Sequence, residues 1–501
     1  MGKVLPCFIK NPLVEKNEFL TQKRETAKRP TFARARKLLP DPYWDNHESA
    51  IACYWKAWEL AFGNLLPATD QNGFVSPFIS TAFNGNLFMW DSVFNCQFGR
   101  YGSRVFNFQG TLDNFYRKQN PDGFISREIS ETDGSEHFQR HDPSSTGPNV
   151  LGWGEWEYFL NFGDTDRLRR VYHPLLAFHQ WMKKYRSWPD GGYWTSGWGC
   201  GMDNQPRQPD SASPAWDHGH MTWIDATAQA LLSAKTLLKM AAALGIADGV
   251  SELKAEAKSL TAYLNQSMWS ERLGFYVDRF RDGSLSKLKT IGAYWLLLAD
   301  AVPPQRIERF LKHLENPKEF NRPHRVPSLS ADHPAYVKPH GDYWNGGVWP
   351  STNYMLLRGL TSIGRDDLAY AIGLNHHQAV IKVFETTGTV WENYAPESMT
   401  EGKPAKNDFV GWGGVPPIAG LFEYVFGLRP IASRNRLVWD IRSRDAFGVN
   451  RYPFGSDGLL DLSCESRASD RDKPVVSVSS NHRVDIDVRW PGGSYRVKAG
   501  Q

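Results

Sequence analysis

Cysteine is scarce in this sequence: Cys7, Cys53, Cys96, Cys200 and Cys464 are the five among 501 residues. The number is odd, the spacing is wide and no CxxC occurs. That argues against a disulfide framework and for free thiols in a reducing, cytoplasmic compartment. Long apolar runs are missing as well. No stretch approaches the roughly 20 apolar residues of a membrane span. Met1 to Lys10 lacks the apolar segment and small-residue cleavage site of a secretory signal. Pro6 stands where a myristoylation motif needs Ser or Thr. No membrane partner is expected. Neither sign of charge dominates: 58 basic against 54 acidic residues leave a net charge of +4, a weak basis for nucleic-acid binding. The basic run Lys23, Arg24, Lys28, Arg29, Arg34, Arg36 is broken by Glu25 and Pro30, and reads as a solvated extension. The closest histidine pairs are His218-Gly219-His220 and His376-His377. Neither has the i,i+4 spacing that puts two imidazoles on one ion, so no metal or other cofactor is expected.

Aromatic residues are abundant, with 20 Trp, 19 Tyr and 28 Phe. Core packing accounts for most of them. Yet many Trp stand beside Gly, Asn, Asp and Pro, on probable loops. Flat rings on polar loops suit the apolar faces of sugars, while ring N–H groups serve hydroxyls. One such loop is Trp198-Gly199-Cys200-Gly201-Met202-Asp203-Asn204-Gln205-Pro206-Arg207. Its glycines and proline exclude a regular helix or strand. Trp188, Tyr193 and Trp194 precede it; Trp216 and Trp223 follow. A second is Thr389-Val390-Trp391-Glu392-Asn393-Tyr394-Ala395-Pro396-Glu397. Two carboxyls on aromatic loops are the minimum equipment for splitting a glycosidic bond.

Helical patterns occupy most of the chain from His47 onward. They are expected over 47–62, 91–98, 103–118, 150–162 and 175–185, the last with Pro174 at a tolerated first position. The clearest has Ile224, Ala228, Leu231, Ala234, Leu238 and Ala241 at three- and four-residue spacing, closed by Gly245. Its partner starts at Ser251. Helix, Gly, short turn, helix recurs at Phe162-Gly163-Asp164, Leu244-Gly245 and Ile363-Gly364. Between these hairpins run long aromatic excursions, one holding a β-hairpin around Asp282-Gly283. The expected fold is mainly α, an (α/α)6 barrel (helical toroid) over 46–430, with an N-terminal extension over 1–45. Short strands at 437–441, 459–462, 475–478 and 484–488 mark a small β module over 431–501.

Several ordered motifs resemble glycoside hydrolase family 63, close to its mannosylglycerate and glucosylglycerate hydrolases and related to the trehalases. Phe88-Met89-Trp90-Asp91-Ser92 resembles the segment that holds the terminal sugar. Ser145-Thr146-Gly147-Pro148-Asn149 sits at the place of a Gln-Pro-Pro-like turn. Gly201 to Arg207 resembles the general-acid loop, and Tyr343-Trp344-Asn345-Gly346-Gly347-Val348-Trp349-Pro350 a Tyr-Trp-Arg-Gly segment. Trp391-Glu392-Asn393-Tyr394 resembles the general-base motif, and Phe409-Val410-Gly411-Trp412 the closing loop. Gln205 replaces a Ser, Asn345 an Arg, and Gly199-Cys200 a Glu-Ser. The resemblance implies an inverting, exo-acting hydrolase of an α-linked glucoside or mannoside. Asp203 would be the acid and Glu392 the base. Trp90, Asp91, Asn204, Arg207, Trp344, Trp349, Tyr394 and Trp412 would contact a small carbohydrate substrate.

The residues leave alternatives open. Glu397 is a rival base and Asp91 a rival acid. Arg207 serves either substrate or a loop-locking ion pair. Cys200 would need a base to act as nucleophile. Helical toroids also host lyases and sugar epimerases, and a toroid without activity would be a carbohydrate-binding protein. No oligomeric state follows from the sequence.

Overall fold

A computed structural model describes residues 9–26 and 29–500. Met1 to Phe8, with Cys7 and Pro6, and the basic Lys28 therefore lie outside the described residues. The chain is mainly helical, with sheets formed largely at its C-terminal end. The inner elements, in chain order, are Met89–Gly99, Leu151–Phe162, Ile224–Leu244, Trp295–Leu298 with the turn before it, Pro350–Ser362 and Val415–Val425. Each packs on the next, and Val415–Val425 packs back on Met89–Gly99, so the ring closes. Gly110–Arg117, Thr165–Arg186, Val250–Ser267 and Asp366–Thr387 each pack on the inner helix that precedes them. Glu48–Gly63 lies against Val415–Val425, and Pro304–Glu315 stacks Phe310 on Tyr294 at 4.6 Å.

Local chemistry explains the short ends of these hairpins. Gly163 closes Leu151–Phe162 at φ +66°, a left-handed conformation that disfavours any residue with a Cβ. Asp164 then caps the next helix, its side chain accepting Arg167 N–H at 2.9 Å. Gly245 and Gly364, at φ +68° and +75°, do the same work at the other hairpins. The longer connections run before each inner helix, so the aromatic loops gather at the opposite end.

Two helices depart from expectation. Thr165–Arg186 carries Pro174 in its interior rather than at its start. The missing N–H and ring clash cost about 3 kcal/mol in a free helix. Here the cap at Asp164 and the packing of Leu168, Val171, Leu175 and Phe178 carry the helix through. The second is Val415–Val425, a π-helix holding Pro416 and Pro417, which lack the N–H groups a regular ladder would use. Ser103 to Gln109 is turn and short loop, so that outer helix starts only at Gly110.

The β region differs from a separate module. One sheet orders Asp41–Trp44, Phe447–Phe454, Gly458–Cys464 and Val476–Ser480, all antiparallel. Its outer strand thus comes from the N-terminal extension. The other orders Gly493–Ala499, Val484–Trp490, Arg436–Asp440 and Leu428–Ile431, with the middle pair parallel. Both share one apolar core with the helices: Phe426 stacks on Phe447 at 4.6 Å, and Tyr452 meets Phe422 at 5.6 Å.

Candidate active site

Asp203, Glu392 and Asp91 line one cavity, together with Phe83, Phe88, Trp90, Arg127, Gly147, Pro148, Gly201, Tyr343, Trp344, Phe409 and Trp412. It opens among the long loops. Each carboxyl arrives on its own support.

Asp203 follows a single helical turn, Gly197–Cys200, capped by Ser196, whose Oγ accepts Gly199 N–H at 3.0 Å. Gly201 leaves that turn at φ +76°, and a Cβ there would meet the Trp90 ring. Beyond Asp203 the loop is bolted down. Gln205 donates to Ser328 O at 2.8 Å and accepts Thr290 Oγ at 2.9 Å. Asn204 accepts Trp344 N–H at 2.8 Å and donates to Asp342 O at 2.9 Å. Arg207 forks onto two carboxylates, Asp225 at 2.6 and 3.0 Å and Asp278 at 2.8 and 2.6 Å, with its plane 4.2 Å over Trp223.

Glu392 lies on an extended segment pinned by Tyr394 N–H to Val348 O at 2.9 Å and the reciprocal bond at 2.8 Å. Its carboxylate accepts Tyr343 Oη–H at 2.8 Å and Lys406 N–H at 3.1 Å. Trp412 Nε1 donates to its carbonyl at 2.7 Å. Tyr343 holds φ at +56° to aim that hydroxyl, a conformation rare for a bulky residue.

Burial raises both carboxyls. Asp203 is pushed up to about 6, with the Arg127 charge opposing. Glu392 is pushed up to about 7, with its Tyr343 and Lys406 donors opposing and the Asp203 charge adding. They face one cavity, and because the Asp203 charge adds to the rise at Glu392 their titrations are linked. Asp91, buried and facing the Glu392 charge, is raised well above the carboxylate range.

The structure sorts the residues expected at the substrate. Trp90, Asp91, Trp344 and Trp412 line the cavity. Asn204, Arg207, Trp349 and Tyr394 do not; Asn204 and Trp349 instead brace Trp344, which does. Trp349 stacks on Trp344 at 3.7 Å and 2°. Tyr394 is buried with its Oη accepting Trp391 N–H at 3.1 Å. Arg207 is consumed by its two ion pairs, the loop-locking alternative. Glu397 is held by Arg322 at 2.8 Å through both oxygens and by Tyr336 at 2.8 Å, away from the cavity. Cys200 is buried and its thiol is pushed far up. Arg127, Tyr343 and Phe83 also line the cavity, positions that spacing alone did not single out. Tyr343 lay within a recognised motif, whereas nothing local marks Arg127.

A helical ring with a half-buried Asp203 and a buried Glu392 at an aromatic mouth is the arrangement of a glycosidase. The model of the mannosylglycerate hydrolase MGH1-like glycoside hydrolase domain matches residues 85–409, and the chain belongs to that family. The family 63 mannosylglycerate hydrolase of Thermus thermophilus, solved with glucose, superposes with TM-score 0.58 at 18% identity, covering 73% of this chain and 99% of that one. The neutral trehalase of Saccharomyces cerevisiae gives 0.52 at 12% identity, over 70% and 74%. These likenesses are of fold. In sequence, a probable mannosyl-oligosaccharide glucosidase of Schizosaccharomyces pombe is 24% identical over 62% of this chain, which spans only 39% of that relative.

Proposed function

We propose that this glycosidase is an inverting, exo-acting hydrolase of an α-linked glucoside or mannoside, a small oligosaccharide or glycosylglycerate. The observation that carries this reading is the meeting of Asp203 and Glu392 across one aromatic-walled cavity. Protonated Asp203 gives its proton to the glycosidic oxygen as the bond to the anomeric carbon breaks. Glu392 takes a proton from the water that attacks the opposite face. Burial raises Glu392 somewhat further than Asp203, to about 7 against about 6, even with its two donors in place. The proton is set on Asp203 because the reaction needs it there, and the donors fixed on Glu392 suit a carboxylate that takes a proton from water. Asp91 and the rings of Trp90, Trp344 and Trp412 hold the sugar. The closed ring of inner elements supports an (α/α)6 barrel, and the unpaired, buried Cys53, Cys96, Cys200 and Cys464 suit a cytoplasmic protein. A mannosylglycerate hydrolase structure holding Tris and D-glycerate, TM-score 0.57, supports glycosylglycerates within the substrate range.

The test is a panel of α-linked disaccharides and glycosylglycerates scored for released monosaccharide. Asp203→Asn and Glu392→Gln should each cut turnover by at least about 10², the lower bound for losing one proton-transfer group. Near-wild-type turnover in either folded variant would overturn the assignment.

A further inference from the structure

Arg127 takes no part in the proton transfers above, yet it is the one cation among the described residues lining the cavity, against three carboxyls. Separate segments converge on it. Its carbonyl accepts Met89 N–H at 2.8 Å, at the start of the helix bearing Trp90 and Asp91. Its N–H donates to Ser145 O at 3.0 Å, just ahead of the Gly147-Pro148 wall. Its Nη1 donates to the carbonyl of Trp198, within the turn that delivers Asp203. Glu128 Oε2 accepts from Nη2 at 3.2 Å, and the guanidinium lies 4.6 Å over the Phe138 ring. Nε is buried with no hydrogen-bond partner among the described residues.

The position is on the acid's side. Asp203 and Asp91 both feel the Arg127 charge, together with that of Glu128. The charges acting on Glu392 are those of Asp203 and Lys406. In the ground state Asp203 is neutral and gains little from a cation. As the proton leaves, Asp203 becomes a buried anion and the fixed guanidinium faces it. An interaction that strengthens only as the reaction proceeds raises kcat rather than lowering KM.

We propose that Arg127 is a positioning residue for the general acid, tying the acid turn to the sugar-holding helix and offsetting the negative charge left on Asp203. The inference rests on Asp203 being the acid. Glycosyl fluorides separate the two claims, because fluoride departs without a proton. The full chain and its R127Q, R127K and D203N variants would be assayed on glucosylglycerate and mannosylglycerate, or on whichever disaccharide the panel shows to be cleaved. α-Glucosyl and α-mannosyl fluoride would be run alongside. R127Q should lower kcat on the glycoside by about 10-fold or more, a part of the 10²–10⁴ due to acid catalysis, with KM little changed. On the fluoride the loss should stay within about threefold, and the alkaline limb of the pH profile should move upward. R127K, keeping charge without the fork, should fall between, and it carries the test if R127Q does not fold. Equal loss on both substrate types, or no loss, overturns the role of Arg127. If D203N loses both activities equally, the acid assignment itself fails, and with it the basis for this role.

Discussion

Asp203 and Glu392 hold their functional state through burial, and that has measurable signs. With one proton shared between limits of about 6 and about 7, kcat/KM should follow a narrow bell. It falls at lower pH, where both carboxyls are protonated and no base remains, and at higher pH, where no acid remains. A flat profile from pH 5 to 9 would rule out the pair. Stability should show the opposite face of the same burial. A carboxyl whose folded pKa lies above its unfolded value binds its proton more tightly when folded. Its burial therefore costs stability above the folded value and costs nothing below the unfolded one. For Glu392, raised from 4.5 to about 7, the cost at pH 8 is about 3 kcal/mol. Glu392→Gln keeps an acceptor for Tyr343 and removes the charge. It should melt a few degrees above the parent at pH 8, with the gap closing near pH 4.5. A gap independent of pH would show that the charge is not the cause.

The acid loop is an element without regular structure, and Arg207 gives it rigidity. Two bidentate pairs bury all of the guanidinium's charge against Asp225 and Asp278. Removing one partner of such a buried set strands the others, at about 3–5 kcal/mol. Arg207→Gln should lose that much in urea unfolding, and its kcat should fall more than its KM rises, because the acid is misplaced while the sugar wall stands. Unchanged stability would mean that the loop is held elsewhere. This loop was legible in the sequence because a carboxyl among Gly, Trp and Pro has few structural uses. The hairpin ends were legible because Gly163 and Gly245 stop helices by a local rule. Pro174 inside a helix was not, since tertiary packing overrides its propensity. Arg127 was not, because its importance comes from segments that meet only in the fold. Arg207, Trp349 and Tyr394 belonged to the right motifs, but motif membership does not distinguish a side chain facing the cavity from one bracing its wall.

At the scale of the whole molecule, Asp203 and Glu392 come from different loops of the ring, and Asp91, the third carboxyl of the cavity, comes from the helix Met89–Gly99. With Glu392 as the base of the proposed inverting mechanism, water attacks the face opposite the leaving group, and an α-glycoside should release the β-anomer first. Proton NMR within minutes of mixing, before mutarotation, reads this; the α-anomer appearing first would make Glu392 a nucleophile or a bystander. The strand Asp41–Trp44 has a consequence for the protein's birth. Its partner is Phe447–Phe454, with Asp41 opposite Asn450, so nearly the whole chain must be made before it can pair. At about 5–20 residues per second, that strand waits on the ribosome for something between roughly 20 and 80 seconds. Throughout that interval the nascent chain trails an unsatisfied β edge, the kind of surface that recruits other chains. A strand made late thus protects one made early, and a chain broken before Phe447 leaves that edge still open.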